Sequence, residues 1–406
     1  MKSFLGFGFG PIQTGLMLLE AMESGNFSEY TVSEIDQALV DAVRANGDAV
    51  SVNIAGKDGV RTRRLSGIRM LNPRAEADLR ELREAASRAD EVATAIPSVK
   101  FYAGGPSSPA SLIGGNAGRS RPCIVYTAEN NNFAAEILAE EMRKVPGCAG
   151  PDSLQPLNTV IGKMSGVISS VQEMDRLGLA PMVPGSAKCV LVEEFNAILV
   201  TRISIPGFRR GIPVFREKDD LLPFEEAKLF GHNAIHALLG YLAREKGLTV
   251  MSGIRSDAAL MDMGRKAFLE ESGAALTAKH ASTGDPLFTE AGWKAYAEDL
   301  LQRMTNPFLL DSVERIIRDP KRKLGYGDRL FGTMRAALAH GVQPRIMARG
   351  AAAAVRYALE QEPGGSPARK PGADTVRAYL AALWQNEPVD EHRGRCLELV
   401  LEALKG

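Results

Sequence analysis

The stretch that decides the fold reads Phe7-Gly8-Phe9-Gly10-Pro11-Ile12-Gln13-Thr14-Gly15. It follows a short apolar run and precedes a segment, 11–23, whose apolar residues recur at helical spacing. A tight glycine turn from a strand into a helix is typical of a dinucleotide site, because the backbone must approach the pyrophosphate and the helix N-terminus offers it free N–H groups. Gly8 and Gly10 fit this pattern, whereas Gln13 occupies the third glycine position. Taken alone, the motif is also compatible with an ordinary glycine-rich turn.

A carboxylate follows at the distance that a dinucleotide site needs. Glu34 lies 24 residues after Gly10, at the end of a strand predicted over 30–35. There it would accept hydrogen bonds from the adenosine ribose and repel a 2′-phosphate, which favours NAD over NADP. Two later predicted strands end where a doubly wound sheet presents its ligand crevice. We therefore predict an NAD site that consists of Gly8, Phe9, Gly10, Ile12, Gln13, Glu34, Thr94, Ala95, Glu129 and Asn130.

The first half of the chain alternates strand and helix patterns, whereas the second half is helical. Strands are predicted at 3–9, 30–35, 50–54, 91–96 and 123–127, and helices at 11–23, 36–46, 224–246, 257–271, 290–304, 328–340, 344–360, 375–385 and 391–404. Segments rich in Gly, Ser or Pro at 104–120, 145–156 and 362–372 are predicted loops. The alternation predicts a parallel sheet covered on both faces. The expected fold is an α/β Rossmann-like domain over 1–210 followed by an all-α domain over 211–406.

The composition argues against several classes of function. Lys plus Arg equals Asp plus Glu at 49 each, so the chain has no basic excess for binding nucleic acid. No apolar run approaches the length of a transmembrane helix, and the N-terminus lacks the apolar core of a signal peptide. The four cysteines are scattered without a Cys-x-x-Cys pair, which argues against disulfides and a zinc site. We expect a cytoplasmic protein with no metal and with neither nucleic acid nor membrane as a partner.

Three polar side chains share one edge of the helix predicted over 224–246. Lys228, Asn233 and His236 fall within an arc of about 140° on an α-helix, so they can converge on a cleft. A solvated lysine and a structural histidine would give the same pattern. The residues by themselves leave both interpretations open.

The order of these residues resembles the Lys-x4-Asn-x2-His signature of the long-chain polyol-specific dehydrogenases, the mannitol dehydrogenase family. The resemblance extends from residue 7 to residue 330. Further matching segments are the glycine turn at 7–12, Glu129-Asn130, Val192-Glu193-Glu194-Phe195, Glu270-Glu271-Ser272-Gly273, Asn306-Pro307-Phe308-Leu309, Asp311-Ser312-Val313-Glu314-Arg315 and Arg318-Asp319-Pro320-Lys321-Arg322-Lys323-Leu324. This many ordered matches identify the chain as a member of the family.

The resemblance implies a metal-independent, NAD-dependent oxidation of a polyol or polyol phosphate. Lys228 corresponds to the general base, Asn158 and Asn233 to the oxyanion-binding asparagines, and His236 to a residue that orients the substrate. A lysine can act as a base near neutral pH only if desolvation and nearby positive charge lower its pKa. Glu225, one turn before Lys228, either tunes that lysine, relays its proton or lies on the surface.

The phosphate-using branch of the family carries a basic run that matches Arg318, Arg322 and Lys323. Guanidinium groups bind phosphate bidentately, so these residues are expected to anchor a substrate phosphate. The implied reaction is the interconversion of D-mannitol 1-phosphate and D-fructose 6-phosphate. The alternative is a helix end whose basic side chains cap its own carbonyls.

Four departures from the family pattern keep other functions open, and two of them are Gln13 in the third glycine position and the glycine-rich stretch at 104–120. Gly162-Lys163 replaces an Asp-Arg pair, and Pro11 and Thr14 stand where the mannitol-1-phosphate branch has Asn and Arg. A dehydrogenase of a free polyol or sugar acid is one alternative, and a nucleotide-binding relative without catalysis is another. A β-hydroxyacid dehydrogenase also joins a Rossmann domain to a helical one, but the order of Lys228, Asn233 and His236 fits the polyol family better.

Overall fold

The computed structural model describes residues 1–115, 119, 121–148, 150, 152–363 and 371–405. Parts of the predicted loops 104–120, 145–156 and 362–372 lie outside these described residues. The chain divides into two compact units between Leu222 and Pro223, whereas the sequence analysis places the boundary after residue 210. The reason for the difference is a short strand, Arg216–Lys218, that pairs with Leu199–Thr201 and so extends the first unit.

Among the described residues, twelve strands form two sheets in the first unit. They are β1 (Lys2–Phe7), β2 (Phe27–Ser33), β3 (Ala49–Ala55), β4 (Val60–Ser66), β5 (Ile68–Leu71), β6 (Glu91–Thr94), β7 (Cys123–Thr127), β8 (Leu154–Val160), β9 (Ser165–Ile168), β10 (Cys189–Glu193), β11 (Leu199–Thr201) and β12 (Arg216–Lys218). The larger sheet has the order β12-β11-β8-β7-β6-β1-β2-β5, and the smaller sheet has the order β4-β3-β10-β9. From β8 to β5, neighbouring strands of the larger sheet run parallel.

The parallel sheet confirms the predicted α/β class, but one predicted strand lies elsewhere. The strand expected over 50–54 exists as β3 and belongs to the smaller sheet, where it pairs antiparallel with β4 and parallel with β10. The edge of the larger sheet is formed instead by β5. A strand that is buried almost throughout, as β3 is, has the same residue pattern in either sheet, so periodicity could not distinguish them.

Helices cover the larger sheet and connect its strands. Those of the first unit are the π-helical turn Gln13–Leu18, the α-helices Leu19–Ser24, Gln37–Ala45, Glu76–Arg88, Pro109–Gly114, Ala134–Arg143 and Val171–Leu177, and the 3₁₀ turn Val99–Phe101. Pro109–Gly114 lies in a segment predicted as a loop. The Ser108 side chain caps it by accepting a hydrogen bond from the Ser111 N–H, and proline occupies the first helical position, so capping outweighs the poor helix propensity of the segment.

The second unit is built of helices. They are Leu222–Glu226, the π-helical turn Ala227–Asn233, Ala234–Glu245, Met251–Ser256 (3₁₀), Ala258–Lys266, the π-helical turn Ala267–Gly273, Ala274–His280, Ala281–Thr283 (3₁₀), Pro286–Phe288 (3₁₀), Glu290–Met304, Val313–Ile317, Pro320–Lys323, Phe331–Ala339, Arg345–Glu360, Ala373–Leu383 and Arg393–Lys405. All seven predicted helices are present, and short ones such as Val313–Ile317 and Pro320–Lys323 were not predicted. In the described ranges, no helix combines the length and apolarity needed to cross a bilayer.

Helix Ala234–Glu245 lies at the centre of the second unit and is buried over ten of its residues. It packs closely on two neighbours because of glycines at the crossing points. A Cβ at Gly240 would lie 2.6 Å from the Ile316 side chain, and one at Gly350 would lie 2.4 Å from Leu238. Such close packing fixes the helix, and therefore also the segment with Lys228 immediately before it.

Candidate active site

A cavity of about 840 Å³ opens beyond the carboxyl ends of β1, β2 and β6. Its volume falls within the roughly 300–1,000 Å³ typical of ligand pockets. Eight of the predicted cofactor residues line it, namely Gly8, Phe9, Gly10, Ile12, Glu34, Ala95, Glu129 and Asn130. The two others, Gln13 and Thr94, are fully buried and are not part of its lining.

The glycine turn forms one wall of this cavity. Gly8 has a φ of +82°, and a Cβ there would lie 2.7 Å from the Ala95 carbonyl oxygen, so both backbone conformation and space require glycine. At Gly10 a Cβ would meet nothing within 4 Å, which leaves the cavity open on that side. The helix that follows can present its first N–H groups to an anion.

Gln13 stands in place of the third glycine and is accommodated by its neighbours. A Cβ at Gly6 would lie 2.1 Å from Gln13 Nε2, so Gly6 makes room for the longer side chain. Both amide atoms of Gln13 are buried without a hydrogen-bond partner in the described part of the chain. Close helix–strand packing, the usual role of the third glycine, occurs instead at Gly15, where a Cβ would lie 2.3 Å from Val192.

Glu34 lies at one end of the cavity, where β2 and β5 end side by side. Its Oε1 accepts hydrogen bonds from the Ile35 N–H at 2.7 Å and the Asp36 N–H at 2.9 Å. Its Oε2 has no hydrogen-bond partner among the described residues and can accept from a ribose hydroxyl. Ile35, which is 56% exposed, and Arg74 line the same cavity. Sequence patterns gave no reason to select Arg74, because it follows a strand that was not predicted.

Glu129 is fully engaged by the protein itself. Its Oε1 accepts from the Ile96 N–H at 2.9 Å, and its Oε2 accepts from Thr94 Oγ1 at 2.8 Å and from the Tyr102 hydroxyl. Burial raises the pKa of Glu129, and the hydrogen bond from Tyr102 opposes that shift. The carboxylate therefore holds the chain in place after β6. Neither Ile96 nor Tyr102 was recognised from the sequence.

Asn158, the predicted oxyanion donor on β8, also has partners within the first unit. Its Oδ1 accepts from the Ala135 N–H at 2.8 Å, and its Nδ2 donates to Glu136 Oε2 at 2.8 Å. Lys163, part of the departure from the family pattern, is buried, and its Nζ donates to the Phe195 carbonyl at 2.9 Å. Both side chains therefore support the local fold.

In the second unit, Lys228 and Asn233 lie in the π-helical turn Ala227–Asn233, not in the regular α-helix that the sequence predicts. A π-helix joins residue i to residue i+5. Lys228 and Asn233 are five residues apart, so in this turn the angle between them around the helix axis is smaller than the roughly 140° of an α-helix. His236 follows in the first turn of the α-helix Ala234–Glu245. Single π-turns inside α-helices occur frequently at functional sites.

Lys228 has the electrostatic environment of a base. Burial and the positive charge of Arg329 lower the pKa of Lys228 to about 8, and Glu225 opposes that shift. Its Nζ makes no hydrogen bond or ion pair in the described ranges of the chain, and the side-chain amide of Asn233 has no partner there either. An amine with a pKa near 8 has an appreciable neutral fraction close to physiological pH, and that fraction can accept a proton.

His236 is buried beside an acidic side chain. Its Nε2 lies 3.2 Å from Asp311 Oδ2. The other oxygen of Asp311 accepts a hydrogen bond from Arg315 Nε at 2.8 Å and lies 2.7 Å from Arg315 Nη2 in an ion pair. Burial raises the pKa of Asp311, but His236 and Arg315 outweigh this and hold it below its usual value. The segment 311–315 matched the family in sequence, but nothing in that match assigned Asp311 a role.

The predicted phosphate anchors are held in different ways. Lys323 is buried and donates to the Arg318 carbonyl. Burial, Arg329 and Arg322 lower the pKa of Lys323 to about 8. Arg322 Nε pairs with Asp319 Oδ2 at 2.8 Å on the surface. The Arg318 guanidinium has no hydrogen bond or ion pair in the described residues.

No three His, Cys, Asp or Glu side chains are grouped so as to hold a metal ion in the part of the chain that the structure describes.

Comparison with known proteins gives matches over nearly the whole chain. The family model described as the mannitol dehydrogenase C-terminal domain matches residues 220–392. A mannitol-1-phosphate 5-dehydrogenase of Paenarthrobacter aurescens is 31% identical over 359 residues, which covers 86% of this chain and 85% of that protein. The enzyme of the same name from Pseudarthrobacter chlorophenolicus is 30% identical over 355 residues, covering 86% of this chain and 84% of the relative.

Two solved structures share the fold at low sequence identity. A D-sorbitol dehydrogenase in substrate-free form has a TM-score of 0.75 at 12% identity, covering 99% of this chain and 92% of that one. The mannitol 2-dehydrogenase of Pseudomonas fluorescens, in ternary complex with NAD and D-mannitol, has a TM-score of 0.69 at 15% identity, covering 100% of this chain and 91% of that one. At such identities the likeness concerns the fold alone.

Proposed function

The chain belongs to the mannitol dehydrogenase family and is a polyol dehydrogenase, and from this premise we propose that it oxidises D-mannitol 1-phosphate to D-fructose 6-phosphate with NAD as the oxidant. The observation that carries the proposal is the amine of Lys228, which has a pKa lowered to about 8 and no partner among the described side chains. Asn233 and His236, on the same helical segment, supply the polar groups that a carbinol needs around it.

NAD, when bound, supplies the acceptor of a hydride from carbon. The fit of the first unit to this cofactor rests on the cavity behind Gly8 and on the unengaged Oε2 of Glu34, which suits ribose hydroxyls. A carboxylate at that position disfavours a 2′-phosphate, so NAD is preferred over NADP. The mannitol 2-dehydrogenase that shares the fold binds NAD in its ternary complex.

The chemical role of each side chain follows from its protonation state and donors. Neutral Lys228 takes the proton of the reacting hydroxyl while the hydride leaves the adjacent carbon. Asn233 donates a hydrogen bond to the oxygen as it gains negative charge. The family resemblance assigns the same role to Asn158, whose Nδ2 donates to both carboxylate oxygens of Glu136. His236 holds a hydroxyl of the substrate. In the reverse direction the protonated Lys228 returns the proton to the ketose oxygen.

Support for a phosphorylated substrate comes from surplus positive charge in the second unit. Burial lowers the pKa of both Lys323 and Lys228. Arg329, Arg322 and Arg318 lower that of Lys323 further, and Arg329 does the same for Lys228. A bound phosphate would offset this repulsion. Two curated relatives at about 30% identity are named for mannitol 1-phosphate. We assign the phosphate to Arg318, Arg322 and Lys323.

Oxidation of a free polyol is the second candidate, and the contacts of the basic run favour it. Arg322 is already paired with Asp319, and Lys323 donates to the Arg318 carbonyl. Both anchors would have to exchange these partners for a phosphate.

Following NADH oxidation with fructose 6-phosphate, fructose and fructuronate side by side tests the proposal. We expect a kcat/KM for fructose 6-phosphate at least about tenfold above that for fructose. Arg318→Ala and Arg322→Ala should raise KM for the phosphorylated ketose only, whereas Arg377→Ala, at an exposed helical position, should change neither. Equal losses on both ketoses would favour the free polyol. Tight NADH binding with no reduction of any of the three would contradict dehydrogenase activity on these compounds and their alcohols.

A further inference from the structure

We propose that Asp311 is a positioning residue that fixes the ring orientation and the tautomer of His236, so that the imidazole Nδ1 accepts a hydrogen bond from a substrate hydroxyl. The inference rests on the proposed function, in which His236 holds the substrate. It assigns a role to a side chain that never contacts the substrate itself.

In the folded chain, the Nε2 edge of the His236 imidazole lies against the Asp311 carboxylate. His236 Nε2 lies 3.2 Å from Asp311 Oδ2, and the two side chains are 10% and 4% exposed. Neither atom has a hydrogen-bond partner among the described residues, because their mutual alignment falls short of a regular hydrogen bond. A carboxylate oxygen only accepts, so the neutral imidazole must carry its proton on Nε2 to satisfy this contact.

The charge on Asp311 is secured from the opposite side. Arg315 Nε donates to Oδ1 at 2.8 Å, and its Nη2 lies 2.7 Å from the same oxygen, which leaves Oδ2 to face the imidazole. A charge-assisted contact to a guanidinium favours the ionised form of the carboxyl group. The carboxylate therefore stays ionised although it is almost fully buried.

The backbone around Asp311 is also held rigidly. Leu310 has a φ of +52°, a conformation that costs energy for a residue with a side chain. The Asp311 carbonyl accepts from the Met251 N–H at 2.9 Å, and Ser312 caps the next helix through its side chain. Leu310 turns the chain directly before Asp311, and the Asp311 side chain reaches His236.

The consequence concerns the other ring nitrogen. With the proton on Nε2, Nδ1 keeps a free lone pair, and it makes no hydrogen bond in the described chain. Neighbouring His232, whose ring centre lies 6.1 Å away, adds no competing charge, because burial lowers its pKa well below the usual value. A polyol carries several hydroxyl donors, and an acceptor at a fixed position selects one of them.

Asp311→Asn tests the inference because it keeps the shape and reverses the hydrogen-bonding polarity. If the amide oxygen stays on Arg315, the amide nitrogen donates to Nε2 and moves the ring proton to Nδ1. In ¹⁵N-histidine spectra of the full-length protein, we expect His236 as the Nε2–H tautomer in the wild type and as the Nδ1–H tautomer in Asp311→Asn. An unchanged tautomer in a folded variant would overturn the proposal. Asp262→Asn, which removes an exposed partner of Lys266, is the control.

Kinetics separate positioning from general stability. Asp311→Asn should lower kcat/KM about tenfold to a hundredfold, the usual consequence of a lost hydrogen bond to a polar group in a closed site, with NADH affinity unchanged. In a His236→Ala background the same substitution should cost less than about twofold, because Asp311 acts through the histidine. If the losses in kcat/KM of the two single variants multiply in the double variant, Asp311 does not act through His236 and the proposal is wrong. The spectra need no turnover, so a wild type that fails to oxidise any polyol would remove the proposed function without deciding the tautomer.

Discussion

The glycine turn at 7–15 and the segment 227–236 are both followed or formed by a π-helical turn, yet they prepare for a ligand in opposite ways. The first region presents backbone groups to the cavity, because Gly8 has no side chain and both oxygens of Glu129 already accept hydrogen bonds from Ile96, Thr94 and Tyr102. The second offers side chains, since Lys228 and Asn233 have no partner among the described residues. Partly buried polar groups without partners cost folding free energy. Under the proposed function, we expect the glycine turn to bind the cofactor and the segment 227–236 to take part in the reaction.

The largest expected effect comes from removing the base. Lys228→Ala should lower kcat for polyol oxidation by about 10²- to 10⁴-fold, the range for a general base, and should leave NADH affinity unchanged. Stopped-flow turnover and NADH fluorescence titration measure the two quantities. Lys294→Ala, at an exposed helical position, serves as the control. A parallel loss of NADH affinity would break the proposed division between binding and reacting regions.

The opposite pattern is expected at the glycine turn. Gly8→Ala forces a side chain into a φ of +82° and within 2.7 Å of the Ala95 carbonyl oxygen. We expect NADH affinity to fall roughly tenfold to a hundredfold, since strain of this kind costs about 1–3 kcal/mol. Gly178→Ala shares the positive φ but meets no atoms within 4 Å, and its titration should match the wild type. Equal losses in both variants would mean general destabilisation rather than damage to the cavity.

The pH dependence of the rate sharpens the role assigned to Lys228. Its neutral form is the base, so oxidation should rise with pH and reach half its maximum near pH 8, whereas ketose reduction should fall over the same interval. Arg329→Gln removes a positive charge that lowers the pKa of Lys228, so the oxidation profile should move to higher pH. At pH 8 we expect roughly a twofold to fivefold slower oxidation. A shift to lower pH would contradict the charge argument.

The smallest expected effect is on stability and concerns Glu271, a buried carboxylate in the second unit. Like Glu129 in the first unit, it accepts hydrogen bonds from backbone N–H groups. It accepts from the Ile346 and Met347 N–H groups, and burial raises its pKa from 4.5 to about 7. Between these values the folded chain binds a proton that the unfolded chain has lost, so the free energy of unfolding should decrease as pH rises from 4.5 to 7.

Urea unfolding at pH 5 and pH 7 measures this contribution. Glu271→Gln cannot ionise and should show a weaker decrease in the free energy of unfolding than the wild type. Glu314→Gln is the control, because Glu314 is an exposed glutamate in the first turn of helix Val313–Ile317. This variant should keep the wild-type decrease in the free energy of unfolding. An unaltered pH dependence in Glu271→Gln would show that this carboxylate does not control it.

Much of the fold could be predicted because local patterns and global structure agree. The apolar runs of β1, β2, β6 and β7 and the long amphipathic helices of the second unit follow from periodicity alone. β3 was recognised as a strand but assigned to the parallel sheet, since its pattern does not encode which partner it pairs with. The helix Pro109–Gly114 was missed because it depends on the Ser108 cap rather than on helix propensity.

The site residues divide in the same way. Glu34 and the glycines could be selected because their spacing reflects the shape of a dinucleotide. Asp311, Tyr102 and Arg74 could not, since each matters through a neighbour that is distant in the chain. Asn158 and Lys323 were selected by resemblance, and only the structure shows that the protein already engages both.

The sequence by itself determined the class of fold, the glycine turn and the order of lysine, asparagine and histidine, because these depend on residues close together in the chain. The tertiary structure decided which of these groups are buried and which charges lie near them, and therefore which carry a shifted pKa. Burial lowers the pKa of Lys228, and so does the positive charge of Arg329, about a hundred residues away in sequence. Electrostatic energy depends on distances in space, and a linear sequence does not contain them.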